Sequence, residues 1–173
     1  MLEGKLIAIL AEQGFEDAEL IEPLKAMKDA GAKVLIVGSG SQESYNGKRG
    51  RAIVKVDTNA DKEKAEDFDA IIVPGGYAPD QMRRYQSMVD LVKKAHAMGK
   101  VIAAICHGPQ LLISAEIVRG RRVTSWPSVA IDLKNAGAIW VDERVVQDGY
   151  LITSRKSADL PRFNKAIIEA LDV

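Results

Sequence analysis

The sequence predicts an α/β fold, a mostly parallel sheet with helices on both faces. Three observations carry this. Short, almost wholly apolar runs recur along the chain, as strands buried on both faces require. Between them lie helical stretches, several of them closed by glycine, and this alternation builds βαβ units. The chain has 173 residues, 47% of them hydrophobic, which is enough for one core and one domain spanning 1–173.

Lys5–Ala11 (KLIAILA) is read as the first buried strand, with Glu12-Gln13-Gly14-Phe15 as the loop after it. Asp17–Ala30 reads as a helix with Asp17 as its N-cap, Pro23 as a kink or the first turn of its main part, and Gly31 as its stop. Lys33–Val37 is the second strand, Gly38–Ser44 a loop, and Arg51–Asp57 alternates as an edge strand would. Asp61–Asp67 is a short charged helix. Ala70–Val73 is the third buried strand and runs into Pro74-Gly75-Gly76.

Gln86–Met98 is an amphipathic helix closed by Gly99, and Lys100–Ile105 is the fourth buried strand. His107–Val118 turns helical with Pro109 in its first turn; Arg122–Ser125 is a fifth strand; Val129–Ala136 is a helix ending at Gly137. Trp140–Asp142, Val145–Gln147 and Tyr150–Thr153 are short strands, and Asp148-Gly149 between the last two signals a small antiparallel hairpin. Asp159–Leu171 closes the chain as a helix with Pro161 in its first turn.

Composition narrows the function classes. Lys+Arg and Asp+Glu both number 24, so no global field attracts nucleic acid or an anionic membrane. The single cysteine rules out an internal disulfide and fits a reducing compartment. No apolar run approaches a membrane span, and no signal peptide is read ahead of the first strand, so a cytoplasmic protein is expected.

In an open parallel sheet, ligands bind beyond the carboxyl ends of the strands. Three such ends carry unusual residues: Glu12 after the first strand, Gly75-Gly76 after the third, Cys106-His107-Gly108 after the fourth. An isolated cysteine is most often a buried structural thiol. Here Ala104-Ile105-Cys106-His107-Gly108 leaves an apolar strand and opens a helix, the layout of a nucleophile elbow. The helix start behind it is expected to favour thiolate. His107 can serve as general base or as ion-pair partner of the thiolate. An orienting carboxylate is then needed, and Asp80 is the candidate, against a plain role in capping a helix. Gly75 and Gly76 can offer N–H groups to an oxyanion. Glu12 can hydrogen-bond the sulfur or shuttle a proton. Trp126 either walls the site or packs.

Other signals carry less. Gly38-Ser39-Gly40 lacks the third glycine of a dinucleotide loop and follows the second strand. His96 and His107 with one cysteine make no metal-ligand spacing, so no metal or other cofactor is expected. Lys48-Arg49 and Arg119–Arg122 read as solvated basic turns.

With these residues placed, the chain resembles the PfpI-like family of intracellular cysteine peptidases and protein deglycases, within the class I glutamine-amidotransferase-like superfamily. The resemblance rests on AILAEQGFEDAEL, DAIIVPGGYAPD, AAICHGPQLLISA, KNAGA and LITSRKSADLPRFNKAI, and covers nearly the whole chain. It implies a flavodoxin-like three-layer sandwich. It also implies Cys106 as nucleophile, His107 as its partner, Glu12 as the acid beside the thiol, and a third acid at Asp80 donated by a neighbouring subunit of a homodimer or homohexamer. Members often carry Glu at that position, so Asp80 has a shorter reach.

The activity so implied is Cys-dependent deglycation, with glutathione-independent glyoxalase chemistry. Its substrates would be methylglyoxal, glyoxal or their early adducts on Cys, Lys and Arg, so nucleic acid would enter only as a glycated substrate. Two alternatives use the same thiol: an intracellular cysteine peptidase working through an acyl-enzyme, and a non-enzymatic redox sensor or stress-protection protein.

Overall fold

The structure, a computed structural model, describes residues 1–173. β1 (Leu6–Leu10) leads through α1 (Asp17–Asp29) to β2 (Lys33–Gly38). β3 (Ser44–Asn46), β4 (Ile53–Lys55) and β5 (Thr58–Asn59) follow, then β6 (Ala70–Val73), α2 (Ala78–Met82), α3 (Gln86–Ala97) and β7 (Val101–Ile105). The last third holds α4 (Pro109–Ser114), β8 (Arg122–Val123), α5 (Ala130–Asn135), β9 (Ile139–Trp140), β10 (Val145–Asp148), β11 (Leu151–Ser154) and α6 (Leu160–Leu171).

The main sheet has seven strands in the order β10-β11-β7-β6-β1-β2-β5. Every neighbouring pair is parallel except β10–β11, the hairpin that Asp148-Gly149 announced. β1 lies mid-sheet, with Ile7 level with Val34 of β2 on one side and Ala70 of β6 on the other. The chain walks outward from β1 to β2, then returns to β6 and walks the opposite way through β7 and β11. Strand order therefore reverses between β1 and β6, and the crevice beyond their carboxyl ends is the place where such sheets bind ligands. α1 packs with α6 as one outer layer, and α3 with α4 as the other. β6 and β7 are buried at every position, which is why both read as unbroken apolar runs.

Several expectations need correction. Arg51–Asp57 is no single edge strand: β4 pairs antiparallel with β3 in a hairpin apart from the main sheet, and β5 forms the sheet edge. The stretch read as a charged helix over 61–67 is instead two 3-10 turns, Ala60–Lys62 and Ala65–Asp67. The fifth strand is shorter than expected and pairs parallel with β9 outside the main sheet. The helix after Cys106 is six residues long rather than twelve. Asp80 lies in the first turn of a five-residue helix, α2, which the apolar pattern does not announce.

Asp17 does not cap α1, whose N-cap position is Glu16. Its carboxylate instead accepts the backbone N–H groups of Arg49, Arg51 and Ala52 at 2.9–3.0 Å, fastening the β3–β4 connection to the start of the helix. These donors hold the Asp17 carboxyl below the usual carboxylate range against the opposing effect of burial. Asp17→Ala would strand three N–H groups, and a loss of about 3 kcal/mol in chemical denaturation is expected. Asp17→Asn keeps one oxygen acceptor and should lose less. Parental stability in the Ala variant would refute this role.

Candidate active site

Cys106 follows the last residue of β7 directly. Its backbone is left-handed, φ 63°, a conformation that strains a non-glycine residue by about 1–3 kcal/mol. Neighbours hold it there. The Cys106 N–H donates to the Ser154 carbonyl at 3.0 Å, and the Trp126 N–H donates to the Cys106 carbonyl at 2.9 Å. Two residues on, a Cβ on Gly108 would stand 2.6 Å from the Val73 carbonyl oxygen, so only glycine lets the turn close. The elbow read from the sequence is present.

The sulfur lies 3.2 Å from Nδ1 of His107, and the backbone N–H groups of His107 and Gly76 favour its anionic form. The His107 ring stacks on Trp126 with centroids 6.2 Å apart.

The acid beside the thiol is Glu19, not Glu12. The Glu19 Oε1 accepts the Gly75 N–H at 2.9 Å, and Oε2 accepts the Ser157 hydroxyl at 2.9 Å. A Cβ placed on Gly75 would stand 2.5 Å from the Glu19 Oε1 and 2.8 Å from the Cys106 Cβ, so the carboxyl and the cysteine face each other across that glycine. Glu12 is bonded elsewhere: its carboxylate accepts the hydroxyls of Ser39 and Ser41 and the N–H of Gln13. The topology explains the difference. β6 lies between β1 and β7, so the end of β1 is two strand spacings, roughly 10 Å, from the elbow, and Glu12 instead ties β1 to the end of β2. Glu19 reaches back over β6 from the first turn of α1.

Burial and the nearby Glu19 carboxylate push the Cys106 thiol up to about 12, against the pull of the two N–H donors and Lys48. The expected thiolate-favouring helix start does not prevail, because α4 is short and the sulfur is largely desolvated. Burial, helped by Lys48, lowers the His107 pKa. With Glu19 ionised, the resting arrangement is a neutral thiol against a neutral imidazole, with the imidazole placed to take the proton. Burial pushes Glu19 itself up to about 7 against its two donors.

A cavity of about 290 Å³ opens over the sulfur, lined by Glu16, Glu19, Lys48, Arg49, Cys106, His107, Trp126, Lys156 and Ser157. Larger surface clefts, such as one of about 950 Å³ between Asp142 and Glu169, lack the thiol. Trp126 thus walls the site. Gly76 supplies an N–H to it, whereas the Gly75 N–H is spent on Glu19 and is not an oxyanion donor. Asp80 is exposed in the first turn of α2 and does not line the cavity of its own chain. No three His, Cys, Asp or Glu side chains cluster as metal ligands, and no helix is long and apolar enough to cross a membrane.

The motifs and this geometry agree with the comparison to known proteins. The DJ-1/PfpI family model matches residues 5–170. The chain belongs to the DJ-1/PfpI family. General stress protein 18 of Bacillus subtilis is 42% identical over 98% of this chain and 99% of its own length. Protein/nucleic acid deglycase 2 of Escherichia coli is 40% identical over 97% and 98%. A crystal structure from Anabaena variabilis, a two-domain protein with DJ-1/ThiJ/PfpI-like and ferritin-like domains, superposes with a TM-score of 0.95 at 45% identity; the match covers 97% of this chain and 48% of that one. The flavodoxin-like expectation for a DJ-1/PfpI chain therefore holds.

Sequence reading missed Glu19, Ser157 and the lysines of the rim. Glu19 had a usable signal: it lies at i, i+4, i+8 with Pro23 and Met27, on the buried stripe of α1, where an acid is out of place. Ser157 had none, since it reaches Glu19 from 138 residues away.

Glu19 yields a pH prediction. Its folded pKa lies above its ordinary 4.5, so the unfolded chain ionises first as pH rises. Stability therefore falls between pH 4.5 and about 7, by up to about 3 kcal/mol, and the loss is constant above that window. Glu19→Gln retains an acceptor for Gly75 without the charge. It should be more stable than the parent in denaturant melts at pH 8, with no advantage at pH 4.5. A difference independent of pH would contradict the assignment.

Proposed function

We propose that this DJ-1/PfpI protein is a cysteine-dependent deglycase and glutathione-independent glyoxalase, a hydrolase acting on methylglyoxal, glyoxal or their early adducts on Cys, Lys and Arg. The observation that carries the reading is the Cys106 sulfur 3.2 Å from the His107 Nδ1, at the floor of a cavity of about 290 Å³. That volume lies at the small end of small-molecule sites. The deglycase name of the E. coli relative supports the same chemistry.

The proposed steps use these groups in turn. The Cys106 sulfur adds to the aldehyde carbon as its proton passes to His107, which is neutral and adjacent. The hemithioacetal carries a carbinol hydrogen next to a ketone. A base removes it to give an enediol, and reprotonation of the neighbouring carbon gives a 2-hydroxy thioester. Glu19, with a pKa near neutrality, and His107 are the groups placed to move this proton. The N–H groups of Gly76 and His107 favour negative charge on the sulfur as it adds. Water then cleaves the thioester, releasing lactate or glycolate and restoring the thiol, and no cofactor enters.

The peptidase reading needs room for an extended chain. The cavity is closed on one side by Trp126 and on another by Glu16 paired with Lys48 and Arg49, which favours a small substrate. The sensor reading needs a resting thiolate, and burial opposes one.

Cys106→Ala should abolish methylglyoxal consumption and lactate release, and His107→Asn should lower kcat by about 10²-fold or more. Absence of turnover in a folded parent protein would refute the reading. We further propose that the chain works as a homodimer or homohexamer in the cytoplasm, with Asp80 supplied to His107 by a neighbouring subunit. Asp80→Asn would then lower activity. Mixing Asp80→Asn with Cys106→Ala subunits would restore part of it, since one mixed site has both groups. A mixture no more active than its components would exclude donation in trans.

A further inference from the structure

The rim of the cavity above Cys106 carries more positive than negative charge. Lys48 and Arg49 share a single carboxylate, Glu16, with Lys48 Nζ 3.2 Å from its Oε2. Lys156 lines the same cavity, is exposed, and makes no ion pair. The only other acid in the lining is Glu19, whose carboxyl is turned to Gly75 and Ser157. The charge reaches the reacting groups, since Lys48 favours the anionic form of Cys106 and the neutral form of His107. The backbone that carries Lys156 is anchored through its neighbours. Arg155 clamps Asp159 through its backbone N–H, Nε and NH2, and reaches Asp142 through NH1, while Ser157 is bonded to Glu19. An unpaired ammonium carried on a backbone anchored at both neighbours, at the mouth of a small cavity, is placed to receive an anion.

We propose that this rim is a carboxylate subsite. Lys156, backed by Lys48, holds the carboxylate of a small ligand whose other end lies at the Cys106 sulfur. The identity of the ligand rests on the small-carbonyl reading above: it is the 2-hydroxy acid product or a substrate aldehyde bearing a carboxylate. The charge preference itself does not depend on that reading. A neutral dicarbonyl enters with no charge, leaves as an anion, and meets the ammonium on its way out.

Because Cys106 is the only cysteine, its alkylation reads the cavity directly. Iodoacetate and iodoacetamide have nearly the same shape and differ in charge. The ratio of their rates at one thiol is independent of that thiol's ionisation. The ratio at Cys106, divided by that at 2-mercaptoethanol, should be about tenfold or more at low salt and fall as salt is added. Lys156→Gln should lower it about fivefold, and Lys156→Arg should keep it. Glycolate should slow alkylation by iodoacetamide while ethylene glycol does not, and Lys156→Gln should abolish that protection. A normalised ratio near one in the parent, or one unchanged in Lys156→Gln, overturns the proposal, as does equal protection by acid and diol. The assay needs no turnover. Anion preference without methylglyoxal consumption would leave the subsite standing and remove the glyoxalase reading. Consumption without anion preference would do the reverse.

Discussion

The Glu19 carboxyl is the contact on which the site is assembled. It joins three distant segments: the first turn of α1, the glycine pair after β6, and the turn after β11. One oxygen takes the Gly75 N–H and the other the Ser157 hydroxyl, at 1% exposure. Burying an acid is costly without such partners, and the fold retains it beside the one thiol of the chain. The two groups are coupled electrostatically, so a negative charge on either opposes ionisation of the other. The chemistry open to Cys106 therefore depends on a residue in another element, and the imidazole next to it completes a set of three groups that share few protons.

The elbow depends on the same economy of contacts. The left-handed Cys106 is held by backbone bonds to Ser154 and Trp126, and by the absence of a side chain at Gly108. One bond comes from the last residue of β11, the strand beside β7, and the other from the segment after β8, so two further parts of the chain fix the nucleophile as well as β7. The Trp126 backbone holds Cys106 while its ring covers His107, which lets one residue position both members of the pair.

Much of this was legible in the sequence. β1, β6 and β7 are apolar almost throughout and buried, so their composition marks them, and the small-x-Cys-x-small pattern at Ala104–Gly108 reports a backbone requirement that Gly108 meets by having no side chain. The region 39–62 was not legible. Its strands are two or three residues long, half exposed, and held by the Asp17 carboxylate rather than by their own periodicity. The acid was misplaced for a related reason. Position after a strand places a residue at the correct edge of the sheet but not over the correct strand, and Glu12 and Glu19 differ only in which neighbour they face. Asp80 shows the limit of a single chain: its backbone is placed by α2, and what its side chain meets in an assembly lies beyond that.

The uneven ends of the main sheet have a consequence for the unassembled protein. On one side the last strand, β5, offers only two residues of ladder, Thr58 and Asn59, and the chain turns into a 3-10 helix straight after them. On the other side β10 is four residues long and is preceded by Asp142-Glu143-Arg144, a run of charges that an incoming strand would have to desolvate. Neither border gives a stray strand enough hydrogen bonds to offset its loss of entropy. A sheet with so apolar an interior is thereby given little edge along which to grow sideways into fibres.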